Sequence, residues 1–314
     1  MPEWLIEQGI GETRAALVDG DAIVEARIML TGVVPAGTVL TAQLKQTGVP
    51  ALAVAEGVEY LLTGGAPGIT QGAAMRIAVT REAIPGAEPW KRPLARATDD
   101  PPSVASPLAG RDIAFPSPRN ALDDAGWEDL IEQARSGIVD FSGGALRISP
   151  TPAMTLIDVD GTLPPAELAV RGAGAAAQAI RRLDISGSIG VDLPTVAGKA
   201  PRLAAAAAID AQLPQPFERT AVNGFGFVQI VRPRRRASLL EIWSDRPAAE
   251  ARALLRRAAL SGSGARRLAA QPDIIAALEA KPEWLDALAR QLGGAISLRA
   301  DAGLPISGGH AEPA

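Results

Sequence analysis

The stretch that decides the fold runs from Met154 to Val196 and contains two short apolar segments, MTLIDVDG (154–161) and SGSIGVDLPTV (186–196). Both are rich in β-branched residues and are bounded by Gly or Pro, a pattern typical of strands in the core of a sheet. The Ala-rich segment between them, Glu167–Leu183, is predicted to be a helix. A strand, a helix and a second strand imply a crossover connection, so we expect the two strands to pair in parallel.

Each predicted strand ends on an acidic residue, Asp158 in the first and Asp192 in the second. Functional groups collect at the carboxyl ends of such strands. A carboxylate is costly to desolvate there, and two neighbouring carboxylates would repel each other. A hard divalent cation such as Mg²⁺ relieves both costs. The structural alternative is that each Asp caps a helix or a turn; for the pair in this position we favour the metal interpretation.

Composition excludes several classes of function. The chain has no Cys, which rules out disulfides, thiolate metal sites and a Cys nucleophile. Its single His, His310, lies in a Gly-rich C-terminal stretch and argues against His-based catalysis or a zinc site. The net charge of −4 provides no global positive field, so a polyanion would need a local basic patch. The chain shows neither an apolar run of membrane-spanning length nor a signal-peptide pattern, which predicts a soluble, cytoplasmic protein with no membrane partner.

The N-terminal third is predicted to be rich in short strands. Residues 1–34 contain a hairpin that turns at Asp19-Gly20-Asp21 and contributes to the core. Residues 35–97 contain short segments separated by Gly and Pro, which predicts a small OB-like β-barrel. Such barrels bind single strands through aromatic and basic side chains. Tyr60, the only Tyr, lies on one of these strands, where either core packing or base stacking would suit it.

The composition and patterning of the remaining residues predict a linker, an α/β domain, a helical region and a C-terminal tail. Residues 98–122 are rich in Pro, Ser and Asp and are predicted to be a linker. Residues 123–245 form the α/β domain that carries the aspartates; within it a buried strand, FGFVQIV (225–231), precedes the basic run RPRRR (232–236). That run is either a solvated surface or a phosphate-binding patch. Residues 246–302 are predicted to be helical, including 265–270, with one short final strand, and residues 303–314 to be a flexible tail.

Three blocks of the sequence resemble the ribonuclease E/G endoribonucleases. They are GIVDFSGGALRISPTPAMTLIDVDG (137–161), RRLDISGSIGVDLPTV (181–196) and FGFVQIVRPRRRASL (225–239), and they occur in the family's order. The N-terminal hairpin and residues 35–97 are similar to the family's N-terminal hairpin and to a reduced form of its OB-fold RNA-binding module. The resemblance implies an α/β fold, α+β overall, with an RNase H/DNase-like mixed sheet whose helices and strands carry the site, plus a small OB-like barrel.

The resemblance also implies Mg²⁺-dependent hydrolysis of single-stranded RNA that leaves a 5′-phosphate. Asp158 and Asp192 fall on the family's metal ligands, and Asp160 falls where an Asn usually supports the first ligand. Tyr60 falls on one RNA-stacking aromatic, while the other position is Ala53. The basic residues expected to contact phosphates are Arg81 and Lys91 in the barrel segment and Arg232, Arg234, Arg235 and Arg236 in the basic run.

The sequence departs from the family pattern at Asp160, in the missing basic stretch after the first Asp motif, where Gly161–Pro165 stands instead, and in two larger features. A linker replaces the subdomain that senses a 5′-monophosphate, so we expect no strong preference for that RNA end. The Cys pair that joins family subunits through zinc is missing, so we expect no zinc-linked dimer. Two further interpretations stay open at this point: a catalytically weakened RNA-binding protein of the same fold, and a structural or partner-binding protein.

Overall fold

The computed structural model describes residues 1–86, 91–117 and 119–314. Residues 87–90 of the predicted barrel segment and Pro118 of the predicted linker lie outside the described residues. The strands are β1 (Glu3–Gln8), β2 (Glu12–Asp19), β3 (Ala22–Leu30), β4 (Val39–Gln46), β5 (Ala51–Ala55), β6 (Val58–Leu62), β7 (Ala74–Arg81), β8 (Leu94–Ala97), β9 (Arg111–Ile113), β10 (Ile138–Phe141), β11 (Gly144–Pro150), β12 (Thr155–Gly161), β13 (Gly187–Asp192), β14 (Glu218–Arg219), β15 (Phe227–Arg232), β16 (Arg266–Ala270), β17 (Ile296–Ala300) and β18 (His310–Pro313). The helices are α1 (Ala121–Asp124), α2 (Trp127–Ser136), α3 (Pro165–Arg182), α4 (Lys199–Gln212), α5 (Leu239–Ser244), α6 (Arg246–Leu260), α7 (Pro272–Glu279) and α8 (Pro282–Leu292).

The chain divides into two compact units that are not consecutive in sequence. The first unit comprises Met1–Thr31, Gly110–Glu128 and Ile242–Ala314, and the second comprises Gly32–Ala109 and Asp129–Glu241. This grouping differs from the predicted consecutive segments, because the N-terminal hairpin belongs with the C-terminal region. The barrel segment belongs with the segment that carries the aspartates.

The first unit begins with the predicted hairpin, in which β2 pairs antiparallel with β3. Strand β1 pairs antiparallel with β2 and, along its other edge, parallel with β9. The predicted linker therefore contains a strand at Arg111–Ile113, since β1 presents unpaired backbone groups along that edge. None of the described helices, in this unit or the other, is long and apolar enough to cross a lipid bilayer.

The C-terminal part of the first unit is a three-stranded sheet, in the order β17–β16–β18, with the helices α6 to α8. The helix predicted at 265–270 is wrong, because those residues form β16. That segment consists of helix-forming residues but is short, and pairing on both sides overrides local propensity. The predicted flexible tail instead ends in β18, which pairs antiparallel with β16.

The second unit contains a closed five-stranded barrel in the order β4–β5–β6–β8–β7. This confirms the prediction of a small barrel alongside a mixed α and β class of fold. Strand β8 was not predicted; it closes the barrel by pairing parallel with β6 and antiparallel with β7. The barrel interior is packed with apolar side chains, among them Leu44, Leu62 and Ile77, which have no exposed surface.

The same unit contains a six-stranded mixed sheet in the order β10–β11–β12–β13–β15–β14. Strands β12 and β13 are parallel, as predicted, and every other pair in this sheet is antiparallel. Helix α3 makes the crossover between them and packs on the face where Ile157 and Val159 are buried. Gly172 of α3 allows this close approach, because a Cβ there would lie 2.3 Å from Val159 Cγ1.

Candidate metal centre on the open face of the sheet

The strand register brings Asp158 and Asp192 side by side. The two residues are directly paired Cα partners in the parallel ladder between β12 and β13. Side chains alternate between the two faces of a strand, so Asp160 shares a face with Asp158. Ile157 and Val159 point into the core, whereas all three aspartates are exposed. The expected pairing of Asp158 with Asp192 is thus confirmed, but only Asp192 ends its strand, because β12 continues for three residues beyond Asp158 along its ladder with β11.

The electrostatics of this face are unbalanced. The pKa of Asp158 is raised by partial burial, by the negative charges of Asp160 and Asp192, and by a side-chain hydrogen bond with Asp160. Arg147, the partner of Asp158 on β11, lowers that pKa without cancelling the rise. The guanidinium of Arg147 is itself loosely placed, with its Nε 3.8 Å from Asp160 Oδ2. Three carboxylates therefore face one weakly engaged cation.

These side chains fit a hard cation that is held by few protein ligands. Carboxylate oxygens are the ligands Mg²⁺ prefers, and Mg²⁺ usually takes one or two carboxylates and completes its octahedron with water and phosphate oxygens. Within residues 1–86, 91–117 and 119–314, no group of three or more His, Cys, Asp or Glu side chains is arranged to hold a metal ion. The arrangement therefore suits Asp158 and Asp192 as a two-carboxylate site, not an all-protein cage.

An apolar strip lies beside the aspartates on the same face. Leu156 of β12 is 40% exposed, and the Phe227 ring of β15 lies across Gly190 of β13. A Cβ at position 190 would come within 2.6 Å of the Phe227 ring, so Gly is required for this packing. The strip and the aspartates together give a surface that is part apolar and part acidic.

Three of the four predicted phosphate contacts in the basic run already have protein partners. Arg232 Nη1 donates to the Ile185 carbonyl oxygen at 2.7 Å, Arg234 pairs with Glu241, and Arg236 Nη1 lies 3.1 Å from Asp184 Oδ2. All three arginines are half-buried. These contacts use part of the hydrogen-bonding capacity of the three guanidinium groups; their role in holding an RNA backbone stays a prediction, and Arg235 is the exposed member of the run.

The basic run also fastens the barrel to the sheet. The Glu82 backbone N–H, just after β7, donates to the Arg235 carbonyl oxygen at 2.8 Å. Burial raises the pKa of Glu82, against the lowering effects of the Ala36 N–H and of Arg236. Arg81 donates to the Arg92 carbonyl oxygen at 2.7 Å, and burial and nearby Arg234 lower its pKa. The phosphate role of Arg81 stays a prediction.

Tyr60 lies in the barrel interior and is only 1% exposed. This burial contradicts the predicted stacking role, because no face of the ring is open to a base. Burial also raises the pKa of the Tyr60 hydroxyl. Ala53, at the other expected stacking position, is paired with Tyr60 across β5 and β6 and is equally buried. Lys91 is half-buried, and its phosphate contact stays a prediction.

Sequence reasoning missed two side chains near the aspartates. Phe225 was assigned to a buried strand, but β15 begins at Phe227, and Phe225 is 82% exposed in the preceding turn. Arg202 lies on α4 with its Nη1 3.8 Å from where a Gly224 Cβ would be. The glycines that flank Phe225 were the available signal, because an aromatic residue in a Gly-rich segment is more typical of a turn than of a strand.

Comparison with known proteins does not assign the chain to a family. No protein-family model matches the sequence, and no curated protein matches it. The resemblance to the ribonuclease E/G endoribonucleases therefore stays a prediction, and the function has to be argued from the geometry of the sheet.

Proposed function

We propose that this chain is a Mg²⁺-dependent endoribonuclease that hydrolyses single-stranded RNA. The observation that supports the proposal most strongly is the register of β12 and β13, which pairs Asp158 with Asp192 on an exposed face. A pair of adjacent carboxylates on one exposed surface suits a cation that binds a phosphodiester.

The openness of the surface supports a polymeric substrate. Small-molecule sites are usually concave pockets that bury most of the ligand. The three aspartates lie instead on an exposed sheet face with an apolar strip beside them. The barrel of the same unit adds a second open groove of about 380 Å³, whose lining includes Gln43, Lys45 and Gln71. The lining also includes Leu44 and Val54, and Lys45 is paired with Glu59, so the groove offers polar and apolar contacts of the kind a single-stranded polynucleotide uses.

In the proposed mechanism the protein supplies position and charge. Asp158 and Asp192 would hold the cation through carboxylate oxygens, and Asp160, two residues along the same face of β12, adds negative charge beside it. Mg²⁺, when bound, supplies a Lewis acid and lowers the pKa of a coordinated water. Arg147 can turn from Asp160 toward a phosphate oxygen, because its ion pair is long and exposed. Water adds to phosphorus, the bond to the 3′ oxygen breaks, and a proton passes to that oxygen, leaving a 3′-hydroxyl and a 5′-phosphate.

The test is cleavage of an AU-rich single-stranded RNA with and without Mg²⁺. Asp192→Asn should abolish cleavage, by about a hundredfold or more, because it removes one ligand charge. Asp286→Asn is the matched control, since it removes the same charge from an exposed position on α8. Undiminished cleavage by Asp192→Asn would overturn the proposal.

The second candidate is a catalytically weakened RNA-binding protein of the same fold. The observation that favours it is the sparse metal site: among the described residues no group of three or more His, Cys, Asp or Glu side chains is arranged to hold a metal ion. It predicts RNA binding that weakens steeply with salt, with no metal-dependent cleavage.

A further inference from the structure

The turn Asn223–Gly226, just before β15, presents an aromatic ring to solvent. Phe225 is 82% exposed, among the most exposed large apolar side chains in the described residues. A single exposed apolar side chain is ordinary and needs no explanation by itself. Three further features of this turn distinguish Phe225: its rigid backbone, its place beside the aspartates and the charge next to it.

The backbone of the turn is held by a dense set of hydrogen bonds. Asn223 Oδ1 accepts from the Phe225 N–H at 2.9 Å and from the Phe227 N–H at 3.0 Å. Thr195 Oγ1 donates to the Phe225 carbonyl oxygen at 2.9 Å. Gly226 has a φ of +96°, and a Cβ there would lie 2.1 Å from the Leu193 carbonyl oxygen, so no other residue fits. A ring on such a fixed support loses little conformational entropy when a ligand binds.

The turn lies just before β15, next to the end of β13 that carries Asp192. Asp192 and Phe227 are Cα partners in the antiparallel ladder of β13 and β15. Phe225 is therefore only two residues beyond the partner of Asp192. The Leu193 N–H, immediately after Asp192, donates to the Gly226 carbonyl oxygen at 3.3 Å. An RNA strand whose phosphate lies at Asp158 and Asp192 would pass this turn.

A cationic side chain completes the group. Arg202 Nε donates to the Gly198 carbonyl oxygen at 2.9 Å, which holds one edge of the guanidinium at the start of α4. Its Nη1 lies 3.8 Å from where a Gly224 Cβ would be. Within the part of the chain that the structure describes, Arg202 forms no ion pair with a carboxylate. A guanidinium next to a turn that carries an exposed aromatic ring can hold a phosphate while the ring stacks a base of the same strand.

We propose that Phe225 and Arg202 form a nucleotide subsite, in which Phe225 stacks one base and Arg202 binds a phosphate of the same strand. The inference rests on the proposed function in taking single-stranded RNA as the ligand. It deepens that function, because a base can stack on Phe225 only when it is unpaired. The subsite thus selects single strands next to the aspartates and takes over the stacking role that buried Tyr60 cannot perform.

The first test measures binding without catalysis. The full chain is titrated in EDTA against a fluorescein-labelled oligouridine, and the anisotropy is followed. Phe225→Ala should weaken binding about tenfold, within the range known for one base on one aromatic ring, whereas Phe225→Tyr should bind like the unaltered protein. Phe225 is too exposed to support the fold, and an unchanged circular dichroism spectrum verifies this for each variant.

The salt dependence separates the two roles. Arg202→Gln should weaken binding and reduce the slope of log affinity against log salt by about 0.7, the value for one phosphate contact on a single strand. Phe225→Ala should leave that slope unchanged. Arg171→Gln on α3 is the matched control, because it removes the same charge from an exposed pair with Glu167. It should leave both affinity and slope unaltered.

The second test locates the base. Oligouridine containing 5-iodouridine is irradiated with the unaltered protein, and we expect the crosslinked peptide to contain Phe225 and to disappear in Phe225→Ala. Unchanged affinity of Phe225→Ala, or crosslinks only outside residues 223–227, would overturn the subsite. Weaker binding of Phe225→Ala without any Mg²⁺-dependent cleavage would support the subsite and refute the nuclease. Cleavage by an unaltered protein whose RNA binding ignores Phe225 would refute the subsite alone.

Discussion

Two groups of carboxylates, one in each unit, differ in whether guanidinium groups balance their negative charge. In the first unit Glu7 is completely buried, and its carboxylate accepts from Arg14 Nη1 at 2.6 Å and from Arg256 Nε at 3.0 Å. In the second unit Asp158, Asp160 and Asp192 share an exposed face with one loosely placed arginine. Acidic residues that are matched by guanidinium groups hold a fold together. Acidic residues that face one another leave a site for a cation.

The buried group extends through several ion pairs. Arg14 Nε lies 2.8 Å from Glu12, Arg252 Nε lies 2.7 Å from Glu12, and Arg256 Nη2 lies 2.8 Å from Asp123. The guanidinium carbons of Arg14 and Arg256 also lie 5.9 and 5.7 Å from the centre of the Phe115 ring. The group joins the N-terminal hairpin, the β9–α1 segment and α6 into one unit. Its role is structural, because each carboxylate already has a cationic partner.

The largest effect should come from removing one partner in the buried group. Arg256→Met leaves the Glu7 carboxylate buried with fewer partners, and we expect a loss of about 3–5 kcal/mol in the free energy of unfolding. Chemical denaturation followed by tryptophan fluorescence measures this loss. Arg299→Met is the control, because its pair with Asp301 is exposed and should contribute at most about 1 kcal/mol. An equally small loss for Arg256→Met would remove the contrast between the two groups.

A smaller effect should come from adding a cation to the exposed group. Mg²⁺ at about a hundred times its dissociation constant should stabilise the protein by about 2.7 kcal/mol, because it binds only the folded state. Asp192→Asn should lose this stabilisation, and Asp286→Asn should keep it. The measurement is the midpoint of thermal unfolding with Mg²⁺ and with EDTA. Identical Mg²⁺ responses in both variants would contradict the metal site without reference to catalysis.

The smallest effect should appear in the pH dependence of stability, with opposite signs for the two groups. Burial alone would raise the pKa of Glu7, but the hydrogen bond from Arg256 and the charges of Arg14 and Arg256 lower it overall. Glu7 therefore stabilises the fold above its ordinary pKa of 4.5, and this contribution is lost as the pH falls through the lowered pKa. The pKa of Asp158 is raised, so its protonation relieves repulsion and favours the folded state on acidification.

Two variants separate these contributions when the free energy of unfolding is measured from pH 7 to pH 3. The advantage of Asp158→Asn over the unaltered protein should shrink as the pH falls, because Asp158 of the unaltered protein then becomes protonated and is neutral like the Asn side chain. The disadvantage of Glu7→Gln should shrink only at more acidic pH. If the stability differences of Asp158→Asn and of Glu7→Gln shrank over the same pH range, the opposite pKa shifts of Asp158 and Glu7 would be refuted.

The local sequence pattern was sufficient to predict the β12–α3–β13 segment of the second unit. The apolar runs at 154–161 and 186–196, the Ala-rich segment between them and the acidic strand ends predicted the β12–α3–β13 crossover and both aspartates. These features depend on periodicity and on Gly and Pro at segment ends, which neighbouring residues determine. Segment 265–270 shows where this reasoning fails, because its pairing with β17 and β18 outweighs its helical composition.

The sequence by itself therefore determined the β12–α3–β13 crossover and the pair of aspartates, and only the tertiary structure decided the strands that close the sheets and which charged and aromatic side chains are available. Arg232 and Arg236 were predicted to be available for phosphates, but their partners, Ile185 and Asp184, lie 47 and 52 positions earlier in the chain. Glu7 and Arg256 are 249 positions apart and share one buried ion pair. A charge is neutralised by whatever lies within a few ångströms in space, and only the folded chain establishes that proximity.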